Sequence, residues 1–145
     1  MSVKTFTFGM SGIFAIFLIT LSLASAITLS NPADLTLSDN STSLTLTNND
    51  GETENVQLSI SNIVSGSNQI ALSISPSQIT NLLSTNSTSI SISISSITGT
   101  FKFGDYSTTL RAIATNSSSG AVLSSKNVTV NFVKSFCKNG QAQRR

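Results

Sequence analysis

Ser89-Ile90-Ser91-Ile92-Ser93-Ile94-Ser95 is the stretch whose reading decides the fold. Isoleucine and serine alternate without a break, which is the two-residue period of a strand with one buried face. The segment has no charge and no proline. With an open edge it would pair with other chains, so we expect it inside a sheet or in an intermolecular contact.

The same alternation continues outward in both directions. Upstream, Leu35 and Leu37 alternate with Thr36 and Ser38, and Leu44 and Leu46 alternate with Thr45 and Thr47. Val56, Leu58 and Ile60 form another series, and Ile70, Leu72 and Ile74 the next. Downstream, a strand runs from Tyr106 to Ala114, with Thr108, Leu110 and Ala112 on the Tyr106 face. Val128, Val130 and Phe132 mark the last strand. Asn48-Asn49-Asp50-Gly51, Ser65-Gly66-Ser67-Asn68 and the stretch 116–120 supply turn residues that tolerate positive φ. Pro76 ends a strand because it has no N–H for the ladder. Residues 77–83 place Ile79, Leu82 and Leu83 at helix-like spacing, and we expect a single turn over one end of the sheet. Roughly seven short strands with turns between them predict an all-β, antiparallel two-sheet sandwich.

The 145 residues are 39% hydrophobic and only 10% charged, with no His and no Trp. Lacking His, the chain has no imidazole base and none of the usual His-bearing metal sites. The formal charge of +2 is carried by the ends. Setting aside Lys4, Lys138, Arg144 and Arg145 leaves Lys102, Arg111, Lys126 and Lys134 against six carboxylates. That is no basic stripe for nucleic acid. The carboxylates sit mostly in polar turns, so neither a two-carboxylate glycosidase nor any other enzyme is indicated. Asp50, Glu52 and Glu54 imitate the start of a calcium loop, but Ser61 stands where its bidentate Glu belongs. A solvated acidic turn is the expectation, with no metal and no cofactor.

Residues 1–26 read as a secretory signal. Lys4 is the positive start, residues 13–23 are the apolar run, and Ala24-Ser25-Ala26 gives small residues at −3 and −1. The alternative is an uncleaved anchor over residues 5–26, although the run is short for a membrane span. The mature chain is expected to start at Ile27, with the sandwich over 27–134 and a polar, basic tail over 135–145. Export places the protein outside the cell or at its surface. Four sequons, at Asn40, Asn86, Asn116 and Asn127, are N-glycosylation candidates. Cys137 is the only cysteine, so it is either a tolerated thiol or half of an intermolecular disulfide. No base is present to make it catalytic.

Phe103-Gly104-Asp105-Tyr106 precedes the strand through Leu110. In immunoglobulin-type sandwiches a Tyr at this place ties its hydroxyl to backbone a few residues upstream, with Gly104 and Asp105 here supplying the turn. The chain thus resembles an immunoglobulin-like module of bacterial and archaeal cell-surface or secreted proteins, over residues 35–132. Thr108 stands where an antibody domain has its second Cys, so the likeness is to disulfide-free accessory modules. Phe101 and Phe103 are expected to pack in the core or at the corner rather than to stack on sugar. The resemblance implies a structural, adhesive or binding role with other envelope proteins or polysaccharide, and self-association as a further option. Two alternatives stand beside it. One is a filament subunit, either pilin-like or exchanging residues 27–38 into a neighbour's sheet. The other is a fragment of a larger multi-module surface protein.

Overall fold

The two-residue period of residues 89–95 is satisfied by a strand flanked on both sides. The computed structural model describes residues 26–138 and 141–143, with side chains through residue 135. Its strands are β1 (Ile27–Leu29), β2 (Ser41–Asn48), β3 (Glu54–Ile60), β4 (Ile63–Ser65), β5 (Asn68–Ser75), β6 (Gln78–Leu82), β7 (Ser87–Thr98), β8 (Gly104–Asn116) and β9 (Val122–Lys134). One sheet has the order β1-β2-β7-β5-β4 and the other β6-β3-β8-β9. Named strand pairs are antiparallel throughout. A short hairpin follows, in which β10 (Phe136–Lys138) pairs with β11 (Gln141–Gln143). Residues 135–145 were expected to be a plain tail, so this pairing is an addition to that reading.

β7 lies between β2 and β5. Leu44 is opposite Ile90, and Ile92 is opposite both Thr42 and Ile74. The inward members of these rows, with Leu46, Val56, Leu58, Ile70, Leu110, Val130 and Phe132 from the other strands, form the core between the sheets. The outward members are hydroxyls, which satisfy one another across strands. Thr47 Oγ1 lies 2.8 Å from Ser87 Oγ, and Ser73 Oγ lies 2.8 Å from Ser93 Oγ. The Ser95-Ser96 doublet breaks the alternation, and the structure shows why. The register shifts there, with Leu72 opposite Ile94 but Ala71 opposite Ser96. The extra residue is a β-bulge that returns Ile97 to the row of Ile70 and Ile63.

Two expectations are corrected. Residues 77–83 are not a helical turn; they contain β6, an edge strand on β3. Val56 pairs with Ile79 and Glu54 with Leu82, so three steps on β6 match two on β3. Asn81, at φ 55°, takes up the extra residue. A bulge therefore produces the three-residue spacing that looks helical in the sequence. The Leu35–Leu37 alternation is not a strand either. Leu35 alone forms a parallel bridge to Phe132. The chain then turns, with Thr36 N donating to Asp39 O and Asp39 N to Thr36 Oγ1, and Leu37 is left exposed. The two sheets hold nine strands rather than the expected seven or so, because β1, β4 and β6 are added and the Leu35–Leu37 strand is lost. The β4–β5 hairpin turns on Gly66-Ser67, with Gly66 at φ 62°, as a two-residue turn of this hand requires.

The alternation makes a sharp mutational contrast. Ile90→Ala empties a fully buried site and should cost about 2–5 kcal/mol of unfolding free energy. Ser91→Ala, its outward neighbour, should stay within about 0.5 kcal/mol. Urea unfolding of the two variants beside the parent measures both.

Candidate functional site

β9 is a 13-residue strand at the edge of its sheet. Its even-numbered residues face β8 in the ladder, as in the pairs Leu110 with Val128 and Thr108 with Val130. The odd-numbered residues turn their backbone groups to the outside. At the C-terminal end this outer side is capped: Leu35 N donates to Asn131 O at 2.9 Å, and Val133 N donates to Leu35 O at 2.8 Å. The two-residue repeat points the N–H and C=O of Ser125, Asn127 and Thr129 to the same side. No other described strand is paired there. The result is an edge whose end is capped by Leu35 and beside which β1 passes while paired to β2. Lys126, opposite Ala112, puts a charge on the row that faces the other sheet. Such a charge discourages indiscriminate edge-to-edge pairing.

The corner at the capped end is built from aromatics. Phe101 meets Tyr106 edge-on, with centroids 5.0 Å apart at 89°, and meets Phe132 at 6.3 Å. Tyr106 Oη donates to Lys102 O at 3.1 Å, four residues upstream. Lys134 Nζ donates to Phe101 O at 2.6 Å and lies 5.6 Å from the Phe103 ring centre. These contacts fix the direction in which β9 leaves the sandwich. Phe101 is in the core as expected, whereas Phe103 is 59% exposed, under the Lys134 ammonium. Its expected corner packing is corrected accordingly.

The opposite end of the sandwich carries the acidic turn. Asn48 is buried, and its Nδ2 donates to Leu82 O and to Glu52 O, both at 2.9 Å. Glu54 is not solvated as the sequence suggested. It faces inward on β3, has no exposed surface, and neither carboxyl oxygen has a hydrogen-bond partner. Burial pushes its carboxyl above the ordinary value of 4.5, and the nearby negative charge of Asp50 adds to the rise. The inward position follows from the alternation through Val56 and Leu58, into which Glu54 falls. Among the described residues no group of three or more His, Cys, Asp or Glu side chains could hold a metal ion.

Two packed antiparallel sheets, with the segment after β1 crossing so that Leu35 caps the edge of the second, are the features that decide the class. The fold is an immunoglobulin-like β-sandwich. It is shared with several solved chaperones. The YadV chaperone superposes with TM-score 0.59 and 11% identity over 75% of this chain and 52% of its own. The E. coli chaperone DraB gives 0.57 and 12% over 74% and 54%. A chain of the Salmonella enterica complex of the SafA pilin with the SafB chaperone gives 0.54 and 12% over 76% and 54%. The chain thus spans about half the length of each. No protein-family model matches it, and no curated protein does.

Within this immunoglobulin-like frame the residues singled out from sequence fall far apart. Asn40 and Asn86 are exposed in the connections before β2 and β7. Asn116, expected in a loop, is the last residue of β8. Its Oδ1 accepts from Ser118 N and Ser119 N, each at 2.9 Å, while Nδ2 donates to Glu52 Oε2 at 3.4 Å. Asn127 lies on the open part of β9. Gly104 and Asp105 open β8, opposite Lys134 and Val133. Cys137 is in β10, opposite Ala142. Ala24 and the apolar run lie outside the described residues, and Ala26 is the first of them. Among the described residues no helix is long and apolar enough to cross a membrane. The outer edge of β9 was not singled out from sequence, because alternation reveals faces and is silent about neighbours.

Glu54 gives a signed prediction. A carboxyl raised on folding contributes stability that is fully present below its unfolded value and is lost as pH rises through its folded value. The protein should therefore lose stability from this group as pH rises from about 4.5 toward neutrality. Glu54→Met, which removes the unpartnered carboxyl while keeping the length, should raise stability at pH 7 by about 1–3 kcal/mol and flatten that slope. Thermal unfolding from pH 4 to 8 measures both. At the other end, Tyr106→Phe should cost about 0.5–1.5 kcal/mol by loss of the bond to Lys102 O, read by urea unfolding.

Proposed function

We propose that the chain is an exported, non-catalytic binding module of the cell envelope that holds an extended segment of another envelope protein against β9. The open outer edge of β9 at Ser125, Asn127 and Thr129 carries this reading. An added strand would find donors and acceptors already aligned there, at the cost of ordering only itself. Leu35 sets where the added strand must stop. Lys126 favours a partner that leaves its ammonium solvated or answers it with a carboxylate.

Two further observations support the reading. The solved chains of like fold include chaperones and a chain of a pilin–chaperone complex. The sequence of residues 1–26 has the order of an export signal. The filament alternative has weaker support, since Ile27–Leu29 already pairs with β2 of the same chain and Leu35 with β9. A segment spent in completing its own sheets is not on offer to a neighbour. The exposed acceptors Asn40 and Asn86, whose side chains enter no described ladder, are the sequons best placed to carry glycan without touching the β9 edge.

Amide hydrogen exchange tests the reading. Decapeptides of alternating Ile and Ser, with and without a Glu to face Lys126, should slow exchange at Ser125, Asn127 and Thr129 by about tenfold or more, a change of roughly 1.4 kcal/mol. The Glu-bearing peptide should act at lower concentration. Thr129→Pro removes an outward N–H and should abolish the effect, while the circular dichroism spectrum stays that of a β-protein. Exchange that is the same with and without every peptide would sink the proposal.

A further inference from the structure

Glu54 sits at the joint where β6 meets β3, and that joint is strained, whatever β9 binds. The carboxyl has no exposed surface, and neither of its oxygens has a hydrogen-bond partner. As the first residue of β3 it is in register with Leu82 of β6 on one side and with Asn116 of β8 on the other. Before the buried Leu82, Asn81 takes φ 55°, and after it Thr85 takes φ 62°. Asparagine tolerates the left-handed region, but a β-branched threonine enters it only where its surroundings force it. β6 is five residues long, and β3 is its one ladder partner among the described strands. The β3–β6 register is interrupted by the bulge between Glu54 and Val56.

The charges at this end are Asp50 and Glu52, both negative. Asp50 Oδ1 accepts from Gly51 N at 2.7 Å, and Glu52 Oε2 accepts from Asn116 Nδ2 at 3.4 Å. β1, β2, β6 and β7 carry no titratable side chain. The cations of β8 and β9 lie further along: Arg111 is opposite Ser59, and Lys126 is opposite Ala112, itself opposite Leu58. Burial and Asp50 therefore both oppose a negative charge on Glu54, and an ionised carboxylate without a partner is stable only in water. The side chain points inward from the end of β3, so it reaches water by turning the start of that strand, which breaks the pairing with Leu82. We propose that Glu54 is a latch for β6: neutral, it lies in the core with β6 closed on β3; once its proton has passed to solvent, it swings out and β6 leaves β3. Asn48 Nδ2, shared between Leu82 O and Glu52 O at 2.9 Å each, keeps one acceptor when Leu82 departs. Release also relieves the strained backbone at Asn81 and bares the outer ladder of β3. The opened fraction rises with pH, because the form excluded from the core is the ionised one.

Hydrogen exchange of the full chain at pH 5 and pH 8 tests this. It is read by mass spectrometry on fragments covering 77–83 and 89–95, each scaled to the unfolded peptide at the same pH. Between the two conditions, protection of 77–83 should fall by about tenfold or more beyond any fall in 89–95. That difference should vanish in Glu54→Gln and in Glu54→Met, neither of which can ionise. Two variants are used so that one that misfolds, recognised by circular dichroism, does not decide the outcome. Equal falls in the two fragments mean that the sandwich loosens as a whole, and unchanged protection of 77–83 means that the carboxyl titrates without opening. Either result overturns the latch, as does a difference that survives in both variants.

Discussion

Alternate residues of β7 are buried in the core, and its uncharged, proline-free backbone would pair with other chains if one side were left open. The strand is instead hydrogen-bonded on both sides. β2 and β5 supply the two partners, and Ile90 and Ile92 lose all contact with solvent as a result. Much of the remaining architecture follows from that demand. The outer positions of that sheet belong to β1 and β4, three residues each, where little backbone is left open. The hydroxyls of the outer face bond to one another, so the sheet stays polar without carrying charge.

Bulges then do the work that a strictly alternating sequence cannot. The extra residue at Ser95 on β7 turns Ile97 back toward Ile70 and Ile63, and the one at Asn81 on β6 brings both Ile79 and Leu82 toward the interior. Each bulge breaks the period in the sequence by one position. Ser95-Ser96 could have been read that way, since the apolar row resumes after a doubled serine. The spacing of Ile79 and Leu82 could not, because three residues is also the spacing of a helix face, and only pairing with β3 decides between them.

The ends and the edge of the sandwich differ in how well their polar groups are matched. At one end the aromatic corner of Phe101, Tyr106 and Phe132 has its hydroxyl on Lys102 O and Lys134 on Phe101 O, so β9 leaves in a fixed direction. At the other, Asn48 meets two carbonyls while Glu54 lies buried with both oxygens unmatched. Between them, β9 runs as an edge that Leu35 closes over only part of its length. Among the described residues the outer ladder of β9 is therefore closed only in part.

The sequence by itself determined the class of the fold. Period two and turn residues between the strands are local properties, and no tertiary contact was needed to read them. It also pointed to β7 lying inside a sheet, because an uncharged alternating strand left open would pair with other chains. Tertiary structure decided the rest. Which strand neighbours which, which edge is left open, and whether an alternating position such as Glu54 is buried depend on groups distant in the chain. A two-residue repeat gives every strand the same two faces, whereas ladder partners come from registers that only the folded sandwich fixes.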